Sequence, residues 1–232
     1  MKIIISIGGS LLTKELTAEN FKKYVDVFLA LRDKGHTLAV VCGGGKVCRE
    51  YRDIGKKLGG NNEQLDFIGI MTTHLNAATL LTGLGGGGEL IRWTTLKKAV
   101  KELKKKIADS TMQNKIFVGG GYDPGTSSDY DATVFAKVIG ADLLINATNV
   151  DGVYSDDPKK NPAAKHYDKL THKQFLKIIK KNEQIPGEYR LFDLAAAKLI
   201  KKLKLKAIFL NGNDPQEILR AVDGKSSGTV VQ

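Results

Sequence analysis

Residues 116–129 read IFVGGGYDPGTSSD. The apolar run Ile116-Phe117-Val118 reads as the end of a buried strand. Gly119, Gly120 and Gly121 follow, then Asp123-Pro124-Gly125 and the hydroxyl-rich Thr126-Ser127-Ser128-Asp129. A helical pattern runs over residues 130–139. Strand, glycine turn and hydroxyl-rich helix start together make an anion site. Glycines let backbone N–H groups approach an anion, and the helix start adds unpaired N–H groups and a positive dipole end. The plainer alternative is an ordinary loop, with Ser128 or Asp129 as helix N-cap.

The pattern recurs, and the recurrence points to a single crevice. Residues 3–7, IIISI, lead into Gly8-Gly9-Ser10, and residues 38–42, LAVVC, lead into Gly43-Gly44-Gly45-Lys46. Leu143-Leu144-Ile145 runs into Asn146-Ala147-Thr148-Asn149. In an open α/β sheet, ligands sit outside the carboxyl ends of the strands. Four such turns in one chain suggest a crevice that holds several phosphates.

The intervening sequence supports an alternating order of strands and helices. Helices are expected over residues 17–33, 46–58, 63–82 and 95–108, with Asp66 in the first turn of the third. Residues 83–88 read as a glycine-rich break, and residues 149–170 as a polar loop region. Helices at 171–180, 192–203 and 214–222, with strands at 206–210 and at the end of the chain, complete the order. The expected fold is α/β with a largely parallel sheet covered by helices on both faces. One domain spans residues 1–232, without linker or internal repeat.

Composition is that of an ordinary soluble globular protein, with 42% hydrophobic and 26% charged residues. No apolar run is expected to approach the roughly 20 residues needed to span a bilayer, and Met1-Lys2 leads directly into a strand rather than a signal peptide. Cys42 and Cys48 offer neither a disulfide framework nor metal-ligand spacing. No residue is assigned as a metal ligand, and a reducing cytoplasm is the expected compartment. The net charge of +11 raises nucleic acid as a partner. The lysines nevertheless fall mainly in residues 97–106, 173–181 and 198–206, on the solvent faces of amphipathic helices. Neither nucleic acid nor membrane is therefore expected. The positive field suits anionic nucleotides.

Familiar nucleotide signatures fail. Gly45-Lys46 is followed by Val47, so there is no Walker loop, and Pro124 takes the third glycine of a dinucleotide fingerprint. The combined motifs instead resemble the amino acid kinase superfamily. They are Gly8-Gly9-Ser10, Gly43-Gly44-Gly45-Lys46 with Arg49, Asp66, and Pro124-Gly125 before Ser127-Ser128-Asp129. Residues 148–154, TNVDGVY, with Asp157-Pro158, residues 192–196, FDLAA, and the Gly228-Thr229 ending complete the set. Within that superfamily the chain is most similar to the archaeal-type uridylate kinases, over nearly its whole length. The resemblance implies a three-layer αβα sandwich and Mg2+-dependent phosphoryl transfer from ATP to UMP, in pyrimidine nucleotide biosynthesis. It also implies a homohexamer built from dimers, with an acceptor-side lobe over about residues 1–150 and a nucleotide-side lobe over about 151–232.

Carried over position by position, UMP contacts fall on Gly44, Asp66, Tyr122, Asp123, Pro124, Gly125, Thr126, Ser127 and Ser128. ATP contacts fall on Gly9, Ser10, Gly45, Arg49, Thr148, Asn149, Tyr154 and Asp157, and catalytic roles on Arg49, Ser10 and Asp129. The chemistry suits each assignment. A carboxylate accepts from ribose hydroxyls, an arginine fork clamps phosphate, and an aromatic ring lies against adenine. Two departures stand out. Many relatives carry a lysine where this chain has Ser6, with Arg49, Lys46 and Lys14 as candidate replacements, and Asp131 adds charge beside the acceptor loop. Kinases for acetylglutamate, carbamate or isopentenyl phosphate, and a non-catalytic nucleotide or oxyanion binder, remain as alternatives.

Overall fold

A computed structural model of the chain describes residues 1–158, 160–183 and 191–232. The elements run β1 (Lys2–Ile7), α1 (Gly9–Leu12), α2 (Ala18–Asp33), β2 (Thr37–Cys42), α3 (Gly45–Lys57) and α4 (Asn62–Leu84). They continue with β3 (Gly88–Leu90), α5 (Leu96–Ala108), β4 (Ile116–Gly119), α6 (Ser128–Ile139) and β5 (Leu143–Thr148). Then follow β6 (Val153–Tyr154), β7 (His166–Tyr167), β8 (Lys169–Leu170), α7 (His172–Glu183), α8 (Leu194–Leu203), β9 (Ala207–Asn211), α9 (Gln216–Val222) and β10 (Thr229–Val231).

Eight strands form one sheet in the order β3-β4-β2-β1-β5-β9-β10-β8, and β6 pairs with β7 in a separate antiparallel ribbon. The first six strands of that order are mutually parallel, and β10 is antiparallel to β9. The strand ends of β4, β2, β1 and β5 are therefore neighbours along one edge, so all four glycine or polar turns meet there.

Strand alternation builds the layers. Ile3, Ile5, Ile7, Leu38, Val40 and Val118 pack with Phe28, Leu31, Ala77, Leu80 and Ile218, on the face covered by α2, α4 and α9. Ile4, Val41 and Phe117 point the other way and pack with Leu103, Phe135, Phe175 and Ile200 under α5 to α8. The result is the expected three-layer sandwich. Each fully buried Ile, Leu or Phe contributes about 1.5–3 kcal/mol, so two continuous cores on one sheet hold the strand edge rigid.

Several local expectations change. The glycine-rich break contains a 3-10 turn at Gly85–Gly87 and then β3, which pairs with β4 at the sheet edge. Asn61 and Gln64 form a reciprocal capping box, which starts α4 early enough to put Asp66 in its second turn rather than its first. Continued through Gly87, this helix is 26 residues long and contains an 18-residue stretch with a mean hydropathy of 1.2, enough by length and composition to cross a bilayer. The sequence reading did not count it as such a run. Here it packs on β2, β4, α2 and α3. Asn146 and Thr148 lie within β5, not in the turn after it.

Candidate active site

The turns after β1 and β2 touch backbone to backbone. Gly8 N–H donates to Ala147 O at 2.8 Å, and Gly43 N–H donates to Ile7 O at 2.9 Å. A Cβ on Gly9 would lie 2.2 Å from Gly45 N, and one on Gly43 would lie 2.6 Å from Gly9 N. Gly45 also has φ +72°, which favours glycine. Thr13 clamps the pair, its Oγ1 accepting from Lys46 N–H at 2.9 Å and donating to Gly9 O at 2.8 Å. Asn76 Nδ2 donates to Gly43 O at 2.7 Å and ties the second turn to α4.

The loop after β4 is gripped from both sides. From α4, Thr73 Oγ1 accepts Gly121 N–H at 2.8 Å, and His74 Nε2–H donates to Gly121 O at 2.9 Å. Burial lowers the His74 pKa, in keeping with a neutral ring in this contact. Asp66 Oδ2 accepts Gly125 N–H at 2.9 Å. From α6, Asp131 Oδ2 accepts Tyr122 N–H at 3.0 Å. Burial pushes the Asp131 carboxyl up to about 7, helped by the Asp123 and Asp193 carboxylates and opposed by the Tyr122 N–H and the Thr126 hydroxyl.

The N-cap of α6 is Ser127, whose Oγ accepts Tyr130 N–H at 3.1 Å, so neither Ser128 nor Asp129 caps this helix. Asp129 turns toward the sheet instead. Its Oδ1 accepts from Ser6 Oγ at 2.9 Å and from Asn146 Nδ2 at 2.8 Å. Ser6 and Asn146 stand opposite each other in the β1–β5 register, and each is only 2% exposed. The Asn146 Oδ1 atom is buried with no hydrogen-bond partner among the described residues.

Two cavities open along this edge and meet at Ser128. The first, about 310 Å3, is lined by Gly9, Ser10, Asp129, Asn146, Thr148 and Asn149, among others. The second, about 430 Å3, is lined by Arg52, Asp66, Asp123 and Asp193 and by residues of the loop between Gly121 and Ser128.

Against the sequence-derived set, Asp66, Asp123, Gly125, Thr126, Ser127 and Ser128 share the second cavity. Gly9, Ser10, Thr148 and Asn149 share the first with Asp129. The remaining assigned residues do not line either one. Tyr122 is 2% exposed, with its hydroxyl donating to Ile91 O at 3.2 Å, so its ring belongs to the core. Pro124 is exposed, while Gly44 caps the start of α3 and Gly45 is its first residue, both half-buried. Arg49 is exposed on α3 and makes no ion pair among the described residues. Tyr154 Oη donates to Asp151 Oδ2 at 3.2 Å and meets His166 edge-on, so the ring is not a core aromatic. Asp157 forms a turn in which its carbonyl accepts from Lys160 and Asn161 N–H. Asn146 and Arg52 are absent from the sequence-derived set. The cross-strand pairing with Ser6 marks the first, and nothing in the local sequence marks the second.

Mg2+ is commonly held by one or two carboxylates plus substrate phosphates, with several waters retained. The Asp129 carboxylate beside the unpartnered Asn146 Oδ1 fits that donor chemistry, and among the described residues no group of three or more His, Cys, Asp or Glu forms a dedicated metal cage.

A parallel sheet with backbone-lined turns and two adjoining cavities at one edge is the architecture of a phosphate-handling α/β protein. Residues 1–211 match the amino acid kinase family, and the chain belongs to that family. It is 36% identical to the uridylate kinase of Methanothermobacter thermautotrophicus over 231 residues, covering 100% of this chain and 99% of the relative. It is 37% identical to the uridylate kinase of Methanocaldococcus jannaschii, covering 100% of both. The crystal structure of uridylate kinase from Archaeoglobus fulgidus superposes with a TM-score of 0.85 at 34% identity, covering 100% of both chains.

Proposed function

We propose that this chain transfers the γ-phosphoryl group of ATP to UMP, giving UDP and ADP in pyrimidine nucleotide biosynthesis. The observation that carries this reading is the pair of cavities meeting at Ser128, on a chain with full-length likeness to uridylate kinases. Two phosphorylated ligands placed in adjoining cavities bring donor and acceptor together in one cleft. Positioning and charge neutralisation are most of what phosphoryl transfer requires.

On this reading the Asp66 cavity takes UMP. Asp66 addresses the ribose, Asp123, Gly125, Thr126, Ser127 and Ser128 surround the acceptor, and Gly44, Tyr122 and Pro124 contribute main chain. The Ser10 cavity takes the ATP phosphates, with Gly9, Gly45, Thr148 and Asn149 around them and Arg49 available from α3. Tyr154 and Asp157 serve the nucleoside end. Asp129, fixed by Ser6 and Asn146, faces the point of transfer. Asp129 would hold Mg2+ bound with ATP, which would supply charge neutralisation at the phosphates. Residues 1–150 then form the acceptor side and residues 151–232 the nucleotide side of one domain.

The protein is proposed to act in the cytoplasm as a homohexamer of dimers. Exposed Tyr51 and Ile54 on α3 and Leu58 just after it, with Phe67, Met71 and Leu75 on α4, give it apolar surface for self-association. The test is ADP release by the purified protein with Mg2+ and ATP, across UMP, CMP, GMP, acetylglutamate, carbamate and isopentenyl phosphate. UMP should be fastest. A faster rate with any other acceptor refutes the assignment, and no turnover with any of them favours a non-catalytic binder.

A further inference from the structure

The cleft is acidic although the protein is basic. Asp66, Asp123 and Asp193 line the acceptor cavity, and Asp129 lines the adjoining one. A phosphomonoester carries about −1.5 to −2 charges at neutral pH, so it would meet carboxylates from several sides. Among the described residues lining the two cavities there is one cationic side chain, Arg52. The other basic residues on α3 do not line them. Lys46 is on the outside with Glu50, 3.6 Å away, and Arg49 is exposed.

Arg52 is also aimed. Its Cδ lies 3.9 Å from where a Gly69 Cβ would be, so the side chain crosses α4 at a residue with no side chain of its own. One end of the guanidinium, Nη2, stands 3.4 Å from Asp66 Oδ1. The other Asp66 oxygen is taken by Gly125 N–H, so the acceptor loop, Asp66 and Arg52 form one chain of contacts. The remaining guanidinium N–H groups make no hydrogen bond among the described residues, and the side chain is 45% exposed at the cavity wall. A guanidinium held at one end by a carboxylate keeps a second edge for a phosphate.

Resting on the uridylate kinase reading above, we infer that Arg52 binds the phosphate of the acceptor nucleotide, leaving Arg49 to the donor side. Asp66 then has two tasks, the ribose and the orientation of this cation.

The experiment compares equilibrium binding of UMP and of uridine to the wild-type protein and to Arg52→Ala, Arg52→Lys and Arg49→Ala. Wild type should prefer UMP. Arg52→Ala should weaken UMP by about 10- to 100-fold, the worth of one charge-assisted contact, while changing uridine by no more than about 3-fold. Arg52→Lys should recover part of the loss, and Arg49→Ala should keep the preference for UMP over uridine. Equal weakening of UMP and uridine in Arg52→Ala would show that the residue acts only through Asp66, and unchanged UMP affinity would remove it from the site. Loss of the preference in Arg49→Ala with retention in Arg52→Ala would give the role to Arg49. A wild-type protein that binds no UMP fails before any variant is made, and that result overturns the uridylate kinase reading together with this assignment.

Discussion

Asp131 is the residue through which this fold should respond most to pH. It is fully buried in the first turn of α6, holds Tyr122 N–H, and has a second oxygen with no partner among the described residues. Its pKa of about 7 against 3.8 means that the native state keeps a proton the unfolded chain has already released. For an acid shifted upward, stability falls as pH rises through the interval between those values, and the full penalty is present above the folded pKa. Between pH 5 and 8 that loss is at most about 3 kcal/mol, at 1.36 kcal/mol per pH unit below the folded pKa. Relaxation of the loop lowers it, so about 1–3 kcal/mol is expected. Asp131→Asn keeps an oxygen for Tyr122 N–H and removes the titration, at the cost of a buried amide that needs an acceptor. Urea unfolding of both proteins at half-unit steps from pH 5 to 8 reads the difference directly. Titrations shared by the two proteins, such as those of His36 and His74, cancel. Wild type should lose stability relative to the variant across that range, with the variant the more stable at pH 8. In melting temperature the gap is about 2–4 °C per kcal/mol for a chain of this size. Parallel pH profiles would refute the argument, because they would mean that Asp131 titrates alike in the folded and unfolded chains.

Two further predictions bear on the site. Asp66→Asn should weaken UMP by about one to two orders of magnitude and leave ATP binding intact, since one hydrogen bond to a charged group is worth roughly 1.5–3 kcal/mol; weaker ATP binding with unchanged UMP would move Asp66 to the donor side. Gly9→Ala should lose about 2 kcal/mol or more in denaturant unfolding, because its Cβ meets backbone at 2.2 Å. At Gly59, where φ is +87° and nothing lies within 4 Å, alanine should cost only the left-handed strain of about 1–2 kcal/mol, without loss of ATP binding. Similar losses of stability and of ATP binding in the two variants would contradict the backbone-contact argument.

What the sequence made legible follows from physics that acts locally. β-Branched runs closed by glycine turns identify β1, β2 and β4, and the alternation with amphipathic helices requires a parallel sheet. Asp66, Asp123 and the residues from Gly125 to Ser128 stand out through their motifs, and the fold brings these six to the wall of one cavity. The polar triad was legible only in part. Ser6 stood out as a missing lysine, but Asn146 acquires meaning only once β1 and β5 are neighbours and the two residues face each other in register. β3 was hidden because its first residue, Gly88, belongs to a glycine run with poor strand propensity, and only pairing with β4 makes it a strand. Asp129 looked like a helix cap because that role is local, whereas its partners lie 123 and 17 residues away. Arg52 was one cation among many on a lysine-rich chain, and its place at the cleft depends on how α3 and α4 cross.

The distribution of charge bears on how such a site would work. The formal charge of +11 is spread over outward helix faces, where it raises the local concentration of nucleotides without binding them in one geometry. At the sheet edge the turns are held by their own backbone N–H groups, which bond Ala147 O, Ile7 O, Thr13 Oγ1 and Thr73 Oγ1. Turns fixed in this way need no reorganisation when charge shifts between phosphates. A cluster of mobile lysines in the same place would hold both ground states tightly and resist release of the product. On the function proposed above, rigid turns at the strand ends would position the phosphates, while one arginine on the acceptor side and a metal ion bound with the donor would share the neutralisation between protein and substrate.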